Sequence, residues 1–476
     1  MKISKDELIG TLTQFNPWWK GESIPDLPPW KRAAWGELKT WLLEPPTARA
    51  IMLSGARQVG KTTLLLQAID TLIENHIPPS NILYATFDHP ILKLAGLDAV
   101  IEAWREREPR GAAPEFIFLD EVQFIRNCGT WIKHQVDFFK DRRIFFTGSA
   151  MPLVERTRES GVGRWHTIRM TTLSFYEYVQ LKKIVVPPLP HLKSLVELFS
   201  WPKAEFDRVG ELSRPLIGHF HDYLVRGGFP GTAGIESVTQ AQRLLREDII
   251  DKVLKRDMTA IFGVRRIIEL EHVFLYLCMH DGGLLDMVDL CKNLGVQKPT
   301  ANNFIDLFEA SHLVYRLAPF GYGKEVLRAR YKIYLADPAI AGAVLLKGKD
   351  MLDDPVALGA ATETATFRHL YARYYSQNVC FSYWRGSRDK EVDLVAQIEG
   401  KIVPFEVKYR SQEAKGRDLK GLLELCREKK VDHGYVVTKS ATDFGPLHVA
   451  GMGSTRIMRL PAALLCYWLG QSELDH

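Results

Sequence analysis

Short runs of apolar residues alternate with longer segments of helical periodicity over the first part of the chain. Ala50–Leu53, Ile82–Ala85, Phe116–Leu119 and Ile144–Thr147 are continuous apolar stretches, each followed by a segment that repeats every three to four residues. Strands without polar alternation are buried on both faces, so the pattern over 49–180 predicts a mainly parallel sheet covered by helices. Val185-Val-Pro-Pro-Leu-Pro190 breaks the period and marks a connector. Helical periodicity then runs to about residue 262, interrupted at Arg226-Gly-Gly-Phe-Pro-Gly231. Over 266–336 the pattern gives three helices (266–280, 285–293 and 299–312) and two strands (313–318 and 331–336) around Gly321-Tyr-Gly323. That order predicts a winged helix. Beyond 350 come a helix at 362–375, strands at 379–383, 391–398 and 401–410, a helix at 418–428 and a strand at 434–438. Glu399-Gly400 reads as the tight turn of a hairpin. Residues 1–48 are rich in Trp and Pro and predict an arm packed on the first domain.

The divisions expected are an arm (1–48), an ATPase core (49–180), a helical lid (181–262), a winged-helix module (263–345) and a C-terminal α/β domain (346–476). Composition adds little. The 476 residues are 46% hydrophobic and 25% charged, as in an ordinary globular protein, and a net charge of +5 does not by itself argue for nucleic acid. Six scattered cysteines lack C-x-x-C spacing, which excludes a zinc knuckle. No apolar run approaches a membrane span, and no apolar leader opens the chain. The expectation is a cytoplasmic protein with no membrane partner.

The strongest chemical signal is Gly55-Ala56-Arg57-Gln58-Val59-Gly60-Lys61-Thr62-Thr63, with the spacing G-x-x-x-x-G-K-[ST] between a strand and a helix. Such a loop turns backbone N–H groups and a helix N-terminus toward phosphates. Lys61 would reach the β- and γ-phosphates of ATP, and Thr62 would ligate Mg²⁺. Phe116-Ile-Phe-Leu-Asp-Glu121 supplies the second half. Asp120 would hold Mg²⁺ directly or through water, and Glu121 would polarise the attacking water. Ser149 or Thr147, ending the next strand, could sense the γ-phosphate. Arg164 is the chosen arginine finger, in cis or across a subunit interface, with Arg142, Arg143, Arg156 and Arg158 as competitors.

Together these residues resemble AAA-type ATPases of the signal-transduction (STAND-like) branch, over 49 to about 260. Gly228-Phe-Pro230 is similar to the Gly-x-Pro lid motif of that branch, which implies that Pro230 covers the adenine side. Phe118-Leu-Asp-Glu-Val-Gln123, Thr147-Gly-Ser149, Gly163-Arg164, Leu173-Ser-Phe-Tyr-Glu177 and Gly227-Gly-Phe-Pro230 look like a widespread prokaryotic ATPase family with a C-terminal domain of unassigned function. A homo-oligomer is a further expectation from this resemblance.

A second constellation lies in the C-terminal part. Alternation in Val403-Pro-Phe-Glu-Val-Lys-Tyr409 places Glu406 and Lys408 on one face of a strand, and the hairpin brings Asp393 beside Glu406. Asp393 and Glu406 would bind Mg²⁺, with Glu363 as a third carboxylate, and Lys408 would orient or deprotonate water or offset charge. This resembles the PD-(D/E)XK nuclease fold over about 360–440, although no proline precedes Asp393. In the middle module Thr300, Asn302 and Asn303 could face a groove of double-stranded DNA, with Lys324, Arg328, Arg330 and Lys332 in or near the wing. The helix itself carries no Lys or Arg. His280 and His312 read as structural. The sequence therefore implies an ATP-hydrolysing protein whose nucleotide state controls a DNA-binding, nuclease-like domain. The alternative is an ATP-dependent switch or scaffold whose nuclease-like domain is catalytically silent.

Overall fold

The computed structural model describes residues 3–107, 114–148, 163–321, 326, 329–377, 379–386, 390–412, 416–449 and 454–475. Ser149, Arg156, Arg158, Lys324 and Arg328 lie outside them. The first sheet contains β1 (Ala50–Gly55), β2 (Ile82–Thr86), β3 (Glu115–Asp120), β4 (Arg142–Gly148) and β5 (Trp165–Met170). All pairings are parallel and the order is β2-β3-β4-β1-β5. The four strands expected from apolar runs are present. The fifth, Trp-His-Thr-Ile-Arg-Met, has mixed polarity because it is an edge strand, and its sequence gives no apolar run.

The opposite edge, β2, is closed by the N-terminal arm. Asn16 donates from Nδ2 to the Tyr84 carbonyl at 2.8 Å and accepts from the Tyr84 N–H at 2.7 Å, as a neighbouring strand would. The indoles of Trp18 and Trp19 both donate to the Ile82 carbonyl. The Trp-rich segment thus satisfies edge groups that would otherwise attract another chain.

In the middle segment three helices, Ile267–Met279, Met287–Leu294 and Lys298–Ala310, precede an antiparallel pair, β6 (Val314–Leu317) and β7 (Lys332–Leu335). The last part is a mixed six-stranded sheet. It comprises β8 (Cys380–Arg385), β9 (Glu391–Ile398), β10 (Lys401–Lys408), β11 (His433–Thr438), β12 (Gly445–Leu447) and β13 (Arg456–Pro461), in the order β12-β13-β11-β10-β9-β8. Glu399 and Gly400 both have positive φ, as the two-residue hairpin turn requires. The helix Pro355–Tyr374 leads into this sheet, and Ala462–Ser472 ends it. The fold is α/β: a parallel P-loop sheet followed by a mixed-sheet domain.

Within 181–262 the long helix and the turns that follow it pack in different places. The helix Lys203–Arg226 buries Phe206, Val209, Leu216, Phe220 and Tyr223 in the same core as Leu394, Phe405 and Tyr435 of the C-terminal sheet. Asp248 and Asp257, from the turns after Pro230, meet the phosphate loop at Gln58 and Arg57. The long helix is amphipathic, and its apolar stripe packs on the C-terminal domain.

Every part of the chain meets at Thr171–Glu177. Arg32 of the arm donates to Glu177 from Nε (2.8 Å) and Nη2 (3.1 Å), to the Thr171 carbonyl (3.0 Å) and to the Val59 carbonyl of the phosphate loop. Leu173 N–H donates to the Gly228 carbonyl, and Phe175 N–H to His369 Nε2 of the C-terminal helix. Arg368 donates to Thr171 Oγ1 and to the Thr172 carbonyl. Burial opposes ionisation of Glu177, but the charge and hydrogen bonds of Arg32 hold its carboxyl down at about 2.

Arg32→Met leaves a buried carboxylate unpaired and is expected to cost about 3–5 kcal/mol in denaturant unfolding, with partial recovery in Arg32→Met/Glu177→Gln. Glu177 has a folded-state pKa below its unfolded value. Its contribution is therefore full above the usual 4.5 and is lost as pH falls from there toward about 2. Glu177→Gln should flatten the stability profile in that window.

Candidate functional site: a phosphate loop and a lysine-filled carboxylate cluster

The phosphate loop leaves the C-terminal edge of β1 and enters the helix Lys61–Glu74. Gly55 is required by close approach, since a Cβ there would stand 2.1 Å from the Met170 carbonyl oxygen of β5. Gly60 has φ of +97° at the helix entry, a conformation that favours glycine. Lys61 is 4% exposed, and its ammonium donates to the carbonyls of Gly55 (2.9 Å) and Ala56 (2.8 Å), folded back on its own loop. Burial pushes its pKa down, while Glu121 and Asp120 oppose the shift.

Asp120 ends β3 two strands from β1, and Thr147 at the end of β4 fills the space between. Asp120 Oδ2 accepts from Thr62 Oγ1 at 2.7 Å and from the Tyr84 hydroxyl at 2.9 Å. Its Oδ1 accepts from Thr147 Oγ1, which in turn accepts from the Glu121 N–H at 2.9 Å. Thr147 therefore fixes both acidic residues. Glu121 has φ of +55°, so the chain turns sharply after Asp120, and its Oε2 accepts from Gln123. Burial pushes the Glu121 carboxyl up; Lys61 pulls it down and Asp120 adds to the rise. Thr62 and Asp120 present adjacent oxygen ligands, a donor set that fits Mg²⁺.

The lid touches the loop from above. Arg57 pairs with Asp257 at 2.8 Å, and Gln58 donates to the Asp248 carbonyl. Asp248 and Asp257 lie in wide π-type turns over 245–257. Pro230 starts the short helix Pro230–Ala233, and a Cβ on neighbouring Gly231 would meet Gln58 Oε1 at 4.0 Å. From the middle segment, buried His312 shares a 3.0 Å hydrogen bond with Ser54, the residue before the loop. Tyr84, Arg32 and His312 carry no motif. An apolar neighbourhood around Tyr84 and the lone position of Arg32 hide their roles in sequence.

Arg164 is placed elsewhere. Its carbonyl accepts from Ala50 N–H at the start of β1, and its Nε pairs with Asp137 at 2.8 Å. That is the N-terminal edge of the sheet, about 17 Å of strand away from the loop. Within one chain it is not a finger, because parallel strands put the start of β5 at the end opposite the nucleotide site. Arg142 and Arg143 are engaged with Glu115 and the Leu42 carbonyl.

The C-terminal residues do converge, but around a lysine. Lys332 of β7 is 1% exposed, and its Nζ lies 2.8 Å from Glu363 Oε1, 2.9 Å from Glu391 Oε1 and 3.0 Å from Asp393 Oδ1. Tyr334 donates to Glu363 at 2.6 Å, and the Val407 N–H donates to Asp393 Oδ2 at 2.8 Å. Lys408 pairs with Glu406 Oε1, while Glu406 Oε2 is buried without a partner. Burial would lower the pKa of Lys332, but Asp393 and Glu363 hold it well above the ordinary value. Burial and the charge of Asp393 push Glu363 and Glu406 up. As arranged, the group does not fit a divalent ion. Among the described residues no three His, Cys, Asp or Glu side chains are placed to hold one. Glu363 and Asp393, two of the expected metal ligands, meet Lys332 here, and Lys332 is buried among carboxylates. Arg330 is paired with Asp286, and Asn302 and Asn303 are exposed.

Comparison with known proteins agrees with the geometry of the first site. Residues 47–179 match the family model described as an AAA domain. This segment is an AAA-type P-loop domain, the class to which nucleotide binding belongs. Residues 217–350 and 358–450 match two models described as domains of unknown function. An uncharacterized protein of Haemophilus influenzae is 26% identical over 379 residues, covering 76% of this chain and 83% of that protein. An uncharacterized protein of Mycobacterium tuberculosis is also 26% identical, over 79% of this chain and 74% of its own length. Among solved structures, the Thermotoga maritima RuvB Holliday junction branch migration motor overlaps 69% of this chain and 92% of its own, at 14% identity and a TM-score of 0.27. Among the described residues no helix is long and apolar enough to cross a membrane.

Tyr84→Phe removes one donor from Asp120. Hydrogen bonds to a charged acceptor are worth about 1.5–3 kcal/mol, so ATP turnover at limiting Mg²⁺ should fall by about tenfold or more, as read by phosphate release.

Proposed function

We propose that this protein is a Mg²⁺-dependent ATPase that acts as a switch, passing its nucleotide state to the middle and C-terminal domains. The observation that carries the reading is the meeting of Lys61, Thr62, Asp120, Thr147 and Glu121 at the C-terminal edge of one parallel sheet. ATP is the substrate. Backbone N–H groups of Gly55–Thr63 and the N-terminus of the Lys61–Glu74 helix receive its phosphates. Lys61 exchanges the carbonyls of Gly55 and Ala56 for phosphate oxygens. Thr62 and Asp120 would hold the Mg²⁺ ion, which neutralises charge on the transferring phosphoryl group when bound. Glu121 orients the attacking water and accepts its proton. Arg57, Gln58 and Pro230 sense occupancy from the lid side.

Transmission is supported by contacts that begin at the loop itself. Arg32 links the Val59 carbonyl to Glu177, and His312 links Ser54 to the middle domain. The Lys332 cluster favours the reading in which the nuclease-like domain is silent in this arrangement. On that reading the protein leaves double-stranded DNA intact in Mg²⁺, with or without ATP.

Lys61→Ala should abolish both ATP binding and turnover, whereas Glu121→Gln should abolish turnover and keep binding. Hydrolysis by Glu121→Gln at the wild-type rate would remove Glu121 from its role. Because Glu121 must be ionised to act and its pKa is raised, the acid limb of kcat/KM should lie above the ordinary carboxylate value of 4.5. DNA cleavage that is lost in Glu406→Ala and Lys408→Ala would overturn the silent-domain reading.

A further inference from the structure

We infer that the Lys332 ammonium is the resident cation of the Glu363–Glu391–Asp393 cluster, and that it keeps a divalent ion out while clasping the middle domain to the C-terminal sheet. The inference rests on the proposed nuclease-like reading only for the kind of ion that is excluded.

Three facts carry it. The first is placement. Lys332 comes from β7 of the middle domain, whereas the carboxylates come from the Pro355–Tyr374 helix and from β9. Its Nζ stands within 3.0 Å of three carboxylate oxygens on three residues, so the ammonium occupies the space between them. An Mg²⁺ ion bonds oxygen at about 2.0–2.1 Å and brings its own waters, so it cannot share that space with an ammonium. The second is charge. Four carboxylates (Glu363, Glu391, Asp393, Glu406) face two lysines (Lys332, Lys408), and all six side chains are at least 70% shielded. Removing Lys332 would leave the cluster short of positive charge in a low-dielectric setting, which a divalent ion could restore. The third is the unmet acceptor. Glu406 is 5% exposed and its Oε2 has no partner, although Lys408 meets its Oε1. The site thus holds one ligand position that neither Lys332 nor Lys408 satisfies.

The position of Lys332 in β7 is also secured from both sides. Its backbone pairs with Leu317 of β6 and bridges Leu284, and the neighbouring Asp281 carboxylate joins Leu335 N–H to Thr364 of the C-terminal helix. Separation of β7 from the Pro355–Tyr374 helix would carry the ammonium out of the cluster. The clasp therefore couples the cation position to the relative placement of two domains.

The experiment is Mn²⁺ binding to the full chain without nucleotide, followed by electron paramagnetic resonance. The variants are wild type, Asp393→Asn, Lys332→Met and Lys332→Met/Asp393→Asn, with Lys332→Met/Glu363→Gln and Lys332→Met/Glu363→Gln/Asp393→Asn as a charge-balanced second pair. Comparison of each protein with its Asp393→Asn partner subtracts ions at Thr62 and Asp120. The expected result is no Asp393-dependent Mn²⁺ in wild type, and a new Asp393-dependent Mn²⁺ in Lys332→Met or in the charge-balanced variant. Mn²⁺ should also raise the unfolding temperature of those variants and not that of wild type. Asp393-dependent Mn²⁺ in wild type overturns the inference and leaves the metal-site reading standing. Absence of Mn²⁺ from wild type and from both folded lysine variants overturns both.

Discussion

The structure depends on a buried charge pair. Arg32 and Glu177 are almost entirely excluded from solvent, and each satisfies several partners besides the other. A pair of this kind gains little net stability, because desolvation offsets attraction, but breaking one side is expensive. Its value is geometric. It ties the arm to the carbonyl of Val59 in the phosphate loop and to the segment Thr171–Glu177. That segment is then gripped by Gly228 from the lid side and by Arg368 and His369 from the C-terminal domain. The terminal helix comes so close that a Cβ on Gly470 would stand 2.6 Å from Ser174 Oγ. Arm, phosphate loop, lid and C-terminal domain therefore share one buried junction, and it abuts the nucleotide site.

This arrangement explains why a phosphate-binding loop would matter to domains far along the sequence. Thr147 and Asp120 define the catalytic edge, and Lys61 rests on its own loop's carbonyls, a posture that must change when phosphates arrive. Val59, Ser54 and Arg57 are each bonded to another part of the chain, through Arg32, His312 and Asp257. On the proposed reading, movement of the loop would be felt by the arm, the middle domain and the lid together. The lysine-filled cluster stands between the middle domain and the C-terminal sheet.

Much of this was legible from sequence. The phosphate loop, Asp120 and Glu121 are local motifs, and the backbone places them by strand geometry alone. The hairpin at Glu399-Gly400 and the pairing of Asp393 with Glu406 follow from alternation and turn chemistry. Other features were hidden for physical reasons. Lys332 reads as a surface cation in an apolar hairpin, and only tertiary packing reveals that acids from a later helix and strand surround it. Arg164 sits beside glycine in a suggestive motif, yet parallel strand direction carries it to the wrong edge. Arg32 lies in a segment without periodicity, so nothing local marks its partner 145 residues away. β5 lacks an apolar signal because only part of it is buried.

On the proposed reading, nucleotide state at the phosphate loop passes through the Thr171–Glu177 junction to the Lys332 cluster. The most direct measurement is amide hydrogen exchange of the Glu121→Gln protein with and without ATP and Mg²⁺. The account predicts changed exchange in three separate places: the phosphate loop, residues 171–177, and the β7 and β9 segments around Lys332 and Asp393. A change confined to the phosphate loop and lid, with 332–335 and 391–394 untouched, would contradict it.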